Sequence, residues 1–199
     1  EIIYIGDPMC SWCWGFAGVI NSIYRDFNNK APLSIVLGGL HAYDDFPMSR
    51  EYKNNIRHHW EDVNKTTGAI FDYRFFDRDR FILDTEPACR AVVTIRKMQP
   101  NLALPFYESI SRSFYTENKD TTILRTYKPL VEKLNIDFKV FEKKFYSDQI
   151  KVETKNDFNF AKKIGVTGFP TVLVKDGKNL ALLTAGFQPY QVLKPAIDG

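Results

Sequence analysis

No stretch of this chain is long and apolar enough to cross a membrane. A spanning helix needs about 20 consecutive apolar residues, and polar or charged side chains interrupt every run well before that length. A basic block is also missing. The 27 Lys and Arg are interleaved with 24 Asp and Glu, for a formal net charge of +3, so no continuous positive track exists to follow a phosphate backbone. Neither a membrane nor a nucleic acid is expected as a partner. Only three cysteines and three histidines occur in 199 residues. Three thiols cannot build the disulfide scaffold of a small secreted protein. A structural zinc needs four ligands, and Cys89, His41, His58 and His59 stand at no ligand-like spacing from the one close cysteine pair. No metal and no cofactor is therefore expected. Internal repeats and low-complexity tracts are absent as well. With 44% hydrophobic and 15% aromatic residues, the chain has ample material for a core, and extended disorder is excluded.

The pattern along the chain changes twice. Ile2 to Ile5 is a short β-rich run ended by Gly6-Asp7-Pro8. Phe16, Ile20, Ile23 and Phe27 then recur at helical spacing, with Val19 and Tyr24 beside them, and Asn28-Asn29-Lys30 and Pro32 close that helix. Leu33 to Leu37, bounded by Gly38-Gly39, reads as a buried strand. Strand, helix and strand make a βαβ unit.

From about residue 48 to 164 the signals are helical. The stripes are Tyr52-Ile56-Trp60-Val63, Ala88-Val92-Ile95-Gln99 behind Asp84-Thr85 and Pro87, and Phe106-Ile110-Phe114 behind Pro105. A fourth, Ile123-Tyr127-Leu130-Leu134, should be kinked or split by Pro129. Phe138, Phe141 and Phe145 follow the cap candidate Asp137, and a last helix is expected over Val152 to Ile164, stopping at Gly165. The end returns to sheet, with Thr171 to Val174 and Leu180 to Ala185 joined by the turn signal Lys175-Asp176-Gly177-Lys178-Asn179. A short helix over Gln188 to Ile197, weakened by Pro195, is expected last. The order βαβ, helices, ββα describes an α/β sheet domain, residues 1–47 and 165–199, split by a helical insertion, residues 48–164.

Chemistry is concentrated at Cys10-Ser11-Trp12-Cys13, between the first strand and the first helix. A thiol at a helix N-terminus faces unpaired backbone N–H groups and the positive end of the helix dipole, and both favour the thiolate. The thiolate is the attacking species in disulfide exchange. Cys10 is thus the expected nucleophile, and Cys13, one turn further in, the residue that resolves the mixed disulfide. Ser11 and Trp12, lying between the sulfurs, tune the pair. Trp12 is expected to be exposed beside the reactive thiol, Trp14 could face substrate or core, and Phe16 belongs to the core. A second constellation, Gly165-Val166-Thr167-Gly168-Phe169-Pro170-Thr171, precedes a strand. Alone it would read as an ordinary turn, since a proline at the first residue of a strand need not donate to the ladder.

On these residues the sequence resembles the DsbA family of thioredoxin-fold proteins, and within it is most similar to the FrnE-like branch of predicted protein-disulfide isomerases. The motifs that carry the resemblance are Asp7 to Phe16, Glu86-Pro87-Ala88-Cys89-Arg90-Ala91, and Gly165 to Thr171; the likeness runs the length of the chain. It implies a thioredoxin fold with a large all-helical insertion, and thiol–disulfide exchange with disulfide-containing proteins or small thiols such as glutathione. A redox partner would recycle the pair. It further implies a cis peptide bond at Phe169-Pro170 beside the sulfurs, with Phe169 pairing to substrate through its backbone. Many relatives carry a buried acid six residues before the first cysteine; this chain has Tyr4 there, and Asp7 resembles the acid of isomerase-type members, with a plain turn-forming role as the alternative.

Other readings stay open. A glutathione-dependent transferase or isomerase of the kappa-type branch shares the split fold but usually carries Ser at the nucleophile position. A non-catalytic peptide-binding chaperone would use the aromatic groove alone. Cys89 reads as a small buried hydrophobe or as a third redox thiol near the pair. His41 reads as an exposed loop residue, and His58 and His59 as surface or partly buried. The odd cysteine count, the missing leader and the habit of the branch lean towards the cytoplasm, with the periplasm as the alternative if a leader was removed.

Overall fold

The computed structural model describes residues 1–198. Its sheet has four strands in the order β2-β1-β3-β4, where β1 is Ile2–Gly6, β2 Leu33–Leu37, β3 Thr171–Asp176 and β4 Asn179–Ala185. β1 pairs parallel with β2 and antiparallel with β3, and β3 and β4 form an antiparallel hairpin with a register shift at Val172/Leu173. Side chains alternate across a strand, and β1 divides its own accordingly. Ile2 and Tyr4 enter the main core, whereas Ile3 and Ile5 enter a smaller cluster on the opposite face with Ala161 and Leu173. Both faces being covered, every residue of β1 is buried.

β2 differs from the expected buried strand. It lies at the edge of the sheet and is only half-buried. Its outer polar groups are nonetheless occupied. Asp157 accepts from the Leu37 N–H at 2.9 Å, and Arg96 donates to the Ile35 carbonyl at 2.7 Å while pairing with Asp157. This is a side-chain answer to the unpaired backbone that an edge strand presents.

The helix after the cysteines is two helices, α1 (Ser11–Gly15) and α2 (Ala17–Phe27). They part at Phe16, and Gly15 shows why the site is tight: a Cβ there would lie 2.7 Å from Val63 Cγ1. The helical region between β2 and β3 comprises α3 (Arg50–Thr67), α4 (Glu86–Met98), α5 (Ala103–Tyr115), α6 (Lys128–Lys133), α7 (Phe138–Phe145) and α8 (Asp148–Lys163), with short 3-10 turns between some of them. Ser49 and Asp137 cap α3 and α7 through their side chains, and Gly68, at φ 75°, ends α3. Pro129 splits the fourth stripe as expected, leaving a 3-10 turn over Leu124–Tyr127 and starting α6. α8 begins four residues before the expected Val152, because Ser147 accepts from the Ile150 N–H and Asp148 favours the first turn.

The aromatic surplus is spent in this region. Trp60 is ringed by Phe71, Phe75, Phe76 and Tyr115, with ring centroids 5.0, 5.2, 4.7 and 5.1 Å away. α4 is buried over most of its length, more than its stripe implied, because α5, α7 and α8 all pack on it. The closing helix, α9 (Tyr190–Asp198), keeps Pro195 inside it and packs on α2.

Candidate active site

The turn after β1 delivers the first thiol. Asp7 accepts from the Met9 N–H through its carboxylate at 2.8 Å and from the Cys10 N–H through its carbonyl at 3.0 Å. Cys10 is the N-cap of α1, in extended conformation, and its Sγ accepts from the Cys13 N–H at 3.4 Å. Both cysteines are free thiols, and they are 5% and 1% exposed respectively. Across from them the Phe169-Pro170 peptide is cis, and the Cys10 thiol donates to the Phe169 carbonyl oxygen at 3.6 Å. Pro170 is buried and sits immediately before β3; its own carbonyl accepts from the Gly186 N–H at 2.7 Å. The two constellations read from the sequence therefore meet at one point. Gly38 completes the seat. A Cβ on it would lie 2.0 Å from the Phe169 ring, so the first residue after β2 must be glycine for Phe169 to lie where it does.

A helix mouth favours the thiolate at Cys10. The surroundings of the sulfur oppose it. The hydrogen bond with the Cys13 thiol, burial and charge on Cys13 push the Cys10 thiol well above its ordinary range, and the Cys13 N–H pulls the other way. α1 is also only five residues long, so little aligned dipole stands behind Cys10 before the break at Phe16.

Asp7 is fully buried. Besides Met9 it accepts from the Leu40 N–H at 2.7 Å and from the Cys89 thiol at 3.4 Å. Burial raises its carboxyl above the usual range against these donors. Asp7 thus ties the loop after β1 to the loop after β2, beyond the local turn. Cys89 is buried as expected, yet it faces a carboxylate rather than a purely apolar wall, and burial raises its thiol strongly.

Ser11 and Trp12 are half-buried, and the Trp12 ring leans on Phe187 with centroids 6.3 Å apart rather than standing free. Trp14 points to the helical side: its indole N–H donates to the Ile70 carbonyl at 3.0 Å and its ring stacks on Tyr115. Phe16 is fully buried. His41 is half-buried rather than exposed, hydrogen-bonded to the Tyr52 hydroxyl at 2.8 Å, while His58 and His59 are exposed. Among the described residues no group of His, Cys, Asp and Glu is arranged to hold a metal.

Several site residues escaped the sequence. Tyr107 donates to the Asp7 carbonyl at 2.8 Å and Ser111 to the Pro8 carbonyl at 2.8 Å. Both lie on α5, four residues apart and so on one helix face, which is the signal that was available. Beside Phe169 runs a groove of about 490 Å³, lined by Val166, Phe169, Leu173, Leu180 and Leu182 among others. Leu180 and Leu182 are exposed on the β4 edge.

A family model described as thioredoxin matches residues 96–195, from α4 through the Pro170 turn and the hairpin. Comparison of the sequence with curated proteins gives no match. Among solved structures, a candidate protein disulfide isomerase from Nitrosomonas europaea is 37% identical, with a TM-score of 0.93 over 99% of this chain and 95% of that one. The cytosolic disulfide reductase DsbM from Pseudomonas aeruginosa is 18% identical, with a TM-score of 0.82 over 99% of this chain and 97% of its own. The same protein with GSH gives 0.79 over the same shares, again at 18% identity. With half of its length matched by the family model and 99% of it aligned to a 37% identical relative, the chain belongs to the thioredoxin family, and it shares its fold with DsbM.

Proposed function

We propose that exchange runs through Cys10 as the nucleophile and Cys13 as the resolving thiol. The observation that carries this is the position of Cys10 Sγ, held between the Cys13 N–H and the Phe169 carbonyl at the mouth of α1. The Cys10 thiolate attacks a substrate disulfide, one substrate sulfur leaves as a thiol, and a mixed disulfide forms. Cys13 then attacks Cys10 Sγ and releases the second substrate thiol, leaving the Cys10–Cys13 bond. Run backwards, the same steps oxidise a dithiol. The direction follows the potential of the redox partner.

The substrates we infer are disulfide-bearing polypeptides and small thiols such as glutathione. The apolar groove beside Phe169 suits an extended segment, and DsbM, which shares the fold, is known with GSH. Phe169 is the residue we assign to backbone pairing with such a segment, and Ser11, Trp12 and Asp7 are assigned to shaping the pair. The isomerase-type, FrnE-like role fits the relative at 37% identity. We propose the cytoplasm as its compartment, on the odd cysteine count and on the cytosolic DsbM.

Insulin reduction and dithiol oxidation test the reading. Cys10→Ser abolishes both, and Cys13→Ser accumulates mixed disulfides with substrate. Full activity in both single variants would sink it.

A further inference from the structure

A second pocket opens at the start of α3, and charge sets its character. It holds about 340 Å³ and shares no lining residue with the groove beside Phe169. Arg50, Lys53 and Arg57 line it from α3, and Asp77, Arg78 and Asp79 from the end of the 3-10 turn Tyr73–Asp77 and the loop after it. The three cations of α3 stand three and four residues apart, hence on one face of the helix. The interleaved charge of the sequence separates them from Arg78; folding gathers all four.

Three of these cations are held in place by uncharged groups. Lys53 Nζ donates to the carbonyls of Arg78 and Asp79, the latter at 3.5 Å. The Arg57 guanidinium lies over the Phe76 ring, 4.7 Å from its centroid. Arg78 lies over Phe81 at 4.8 Å and donates to the Asn118 carbonyl at 2.7 Å and to its side-chain oxygen at 2.9 Å. Among the described residues none of the four forms an ion pair. Asp77 and Asp79 are exposed, whereas Lys53, Arg57 and Arg78 are half-buried. Partly desolvated charge without an opposite charge is costly. Burial pulls the Arg78 guanidinium below its usual range, and Asp120 is the acid that offsets this. The positive end of an 18-residue helix lies at the same place, behind the Ser49 cap.

We propose that this pocket binds the phosphate group of a small molecule. Four cations against two carboxylates leave the lining with a net charge of +2, which a phosphate dianion neutralises. Guanidinium forks match phosphate oxygens two at a time, and an ammonium adds a compact charge. Met48 and Phe76 give the pocket an apolar wall as well. Its volume falls within the range of about 300–1,000 Å³ usual for small-molecule sites, so there is room for an organic part beside the phosphate. The two aspartates at its edge repel a long polyanion and keep nucleic acid out. The proposal is independent of the roles assigned to Cys10 and Cys13.

The test is titration calorimetry of the full chain with phenyl phosphate, inorganic phosphate and phenol. An ionic strength of about 0.15 M screens exposed charges more than about 8 Å apart. One saturable site per chain is expected for both phosphates and none for phenol. Tighter binding of phenyl phosphate identifies a phosphate monoester as the ligand, and equal binding identifies the free ion. Arg57→Gln should weaken binding about tenfold. Arg50→Gln, at an exposed position with no packing to lose, should weaken it about threefold. Asp77→Asn should tighten it, and Lys65→Gln, in the last turn of the same helix, should leave it unchanged. The proposal is overturned if neither phosphate saturates a site or if phenol binds as well as phenyl phosphate. It is equally overturned if Lys65→Gln weakens binding as much as Arg50→Gln, which is diffuse attraction, or if Asp77→Asn loosens it.

Discussion

Cys10 and Phe169 lie 159 residues apart in the chain, and the thiol of one donates to the carbonyl oxygen of the other at 3.6 Å. A thiol is a weak donor, so the contact matters for what it locates rather than for its strength. It sets the reactive sulfur against the backbone of the residue before Pro170, beside the apolar groove. Anything that displaces Phe169 therefore changes both the sulfur's surroundings and the surface a substrate would meet.

Gly38 is where that displacement can be produced with one methyl group. Its added Cβ would lie 2.0 Å from Phe169 Cζ and 2.2 Å from Cε1, closer than packing allows, so the ring must move. Gly38→Ala should cost about 1–3 kcal/mol of stability, the range for an overpacked site, and slow the Cys10 reaction as well. Gly18→Ala is the control. That position is helical and has nothing within 4 Å of its Cβ, so the change should stabilise by up to about 1 kcal/mol. Urea midpoints measure both, and a Gly38→Ala protein as stable as the parent would contradict the seat described here.

Cys89 should be the slow thiol. It is fully buried, donates to Asp7, and its thiol is raised by burial first and by the Asp7 charge next. Reagents need the thiolate and access to it, so alkylation of the native reduced protein should spare Cys89 until the chain unfolds. Peptide mass mapping after a timed iodoacetamide pulse reads this directly. Labelling of Cys89 as fast as Cys10 would restore the third-thiol reading.

How much of this was legible depends on the range of the interaction. Cys10 to Cys13, the Pro129 split and the Asp137 cap are local features, and local pattern was enough to place them. The α8 start is equally local, set by the cap at Ser147-Asp148, which lies ahead of the apolar stripe that marks the helix. The close packing of Gly15 beside the break is different in kind, because it meets Val63 across 48 residues. Tyr107 reaches Tyr4 over a separation of 103 residues, and no periodicity in α5 announces that. The edge position of β2 was hidden by its own composition: apolar residues marked it as buried, while its cover is partly the ion pair of Arg96 and Asp157.

That ion pair gives a stability test away from the sulfurs. Asp157 accepts from Arg96 at 2.6 and 3.0 Å and from the Leu37 N–H, one residue before Gly38. Asp157→Ala leaves the edge-strand Leu37 N–H without its acceptor and the half-buried Arg96 guanidinium with only the Ile35 carbonyl. Because Arg96 and Asp157 are 25% and 12% exposed, the loss should be about 1–3 kcal/mol, below that of a fully buried pair. Urea unfolding measures the loss, and light scattering should show more self-association through the uncovered β2 edge. Unchanged stability would mean that the pair contributes no more than an exposed one.

Glu108 supplies the pH dependence. It sits on α5 facing α2, hydrogen-bonded to Asn21, and burial raises its carboxyl from 4.5 to about 7, with Asn21 and Arg112 pulling it back down. A carboxyl raised on folding binds its proton more tightly in the native state. Its contribution is therefore fully present below the unfolded value, near 4.3, and is lost as pH rises through about 7. The native protein should lose up to about 3 kcal/mol across that window from this group. Glu108→Gln keeps an oxygen for Asn21 and has no charge to bury. The variant should match the parent at pH 4.5, grow more stable than it as pH rises, and hold a constant advantage above the folded midpoint. Parallel stability curves for the two proteins from pH 4.5 to 8 would show that Glu108 ionises freely in the folded state.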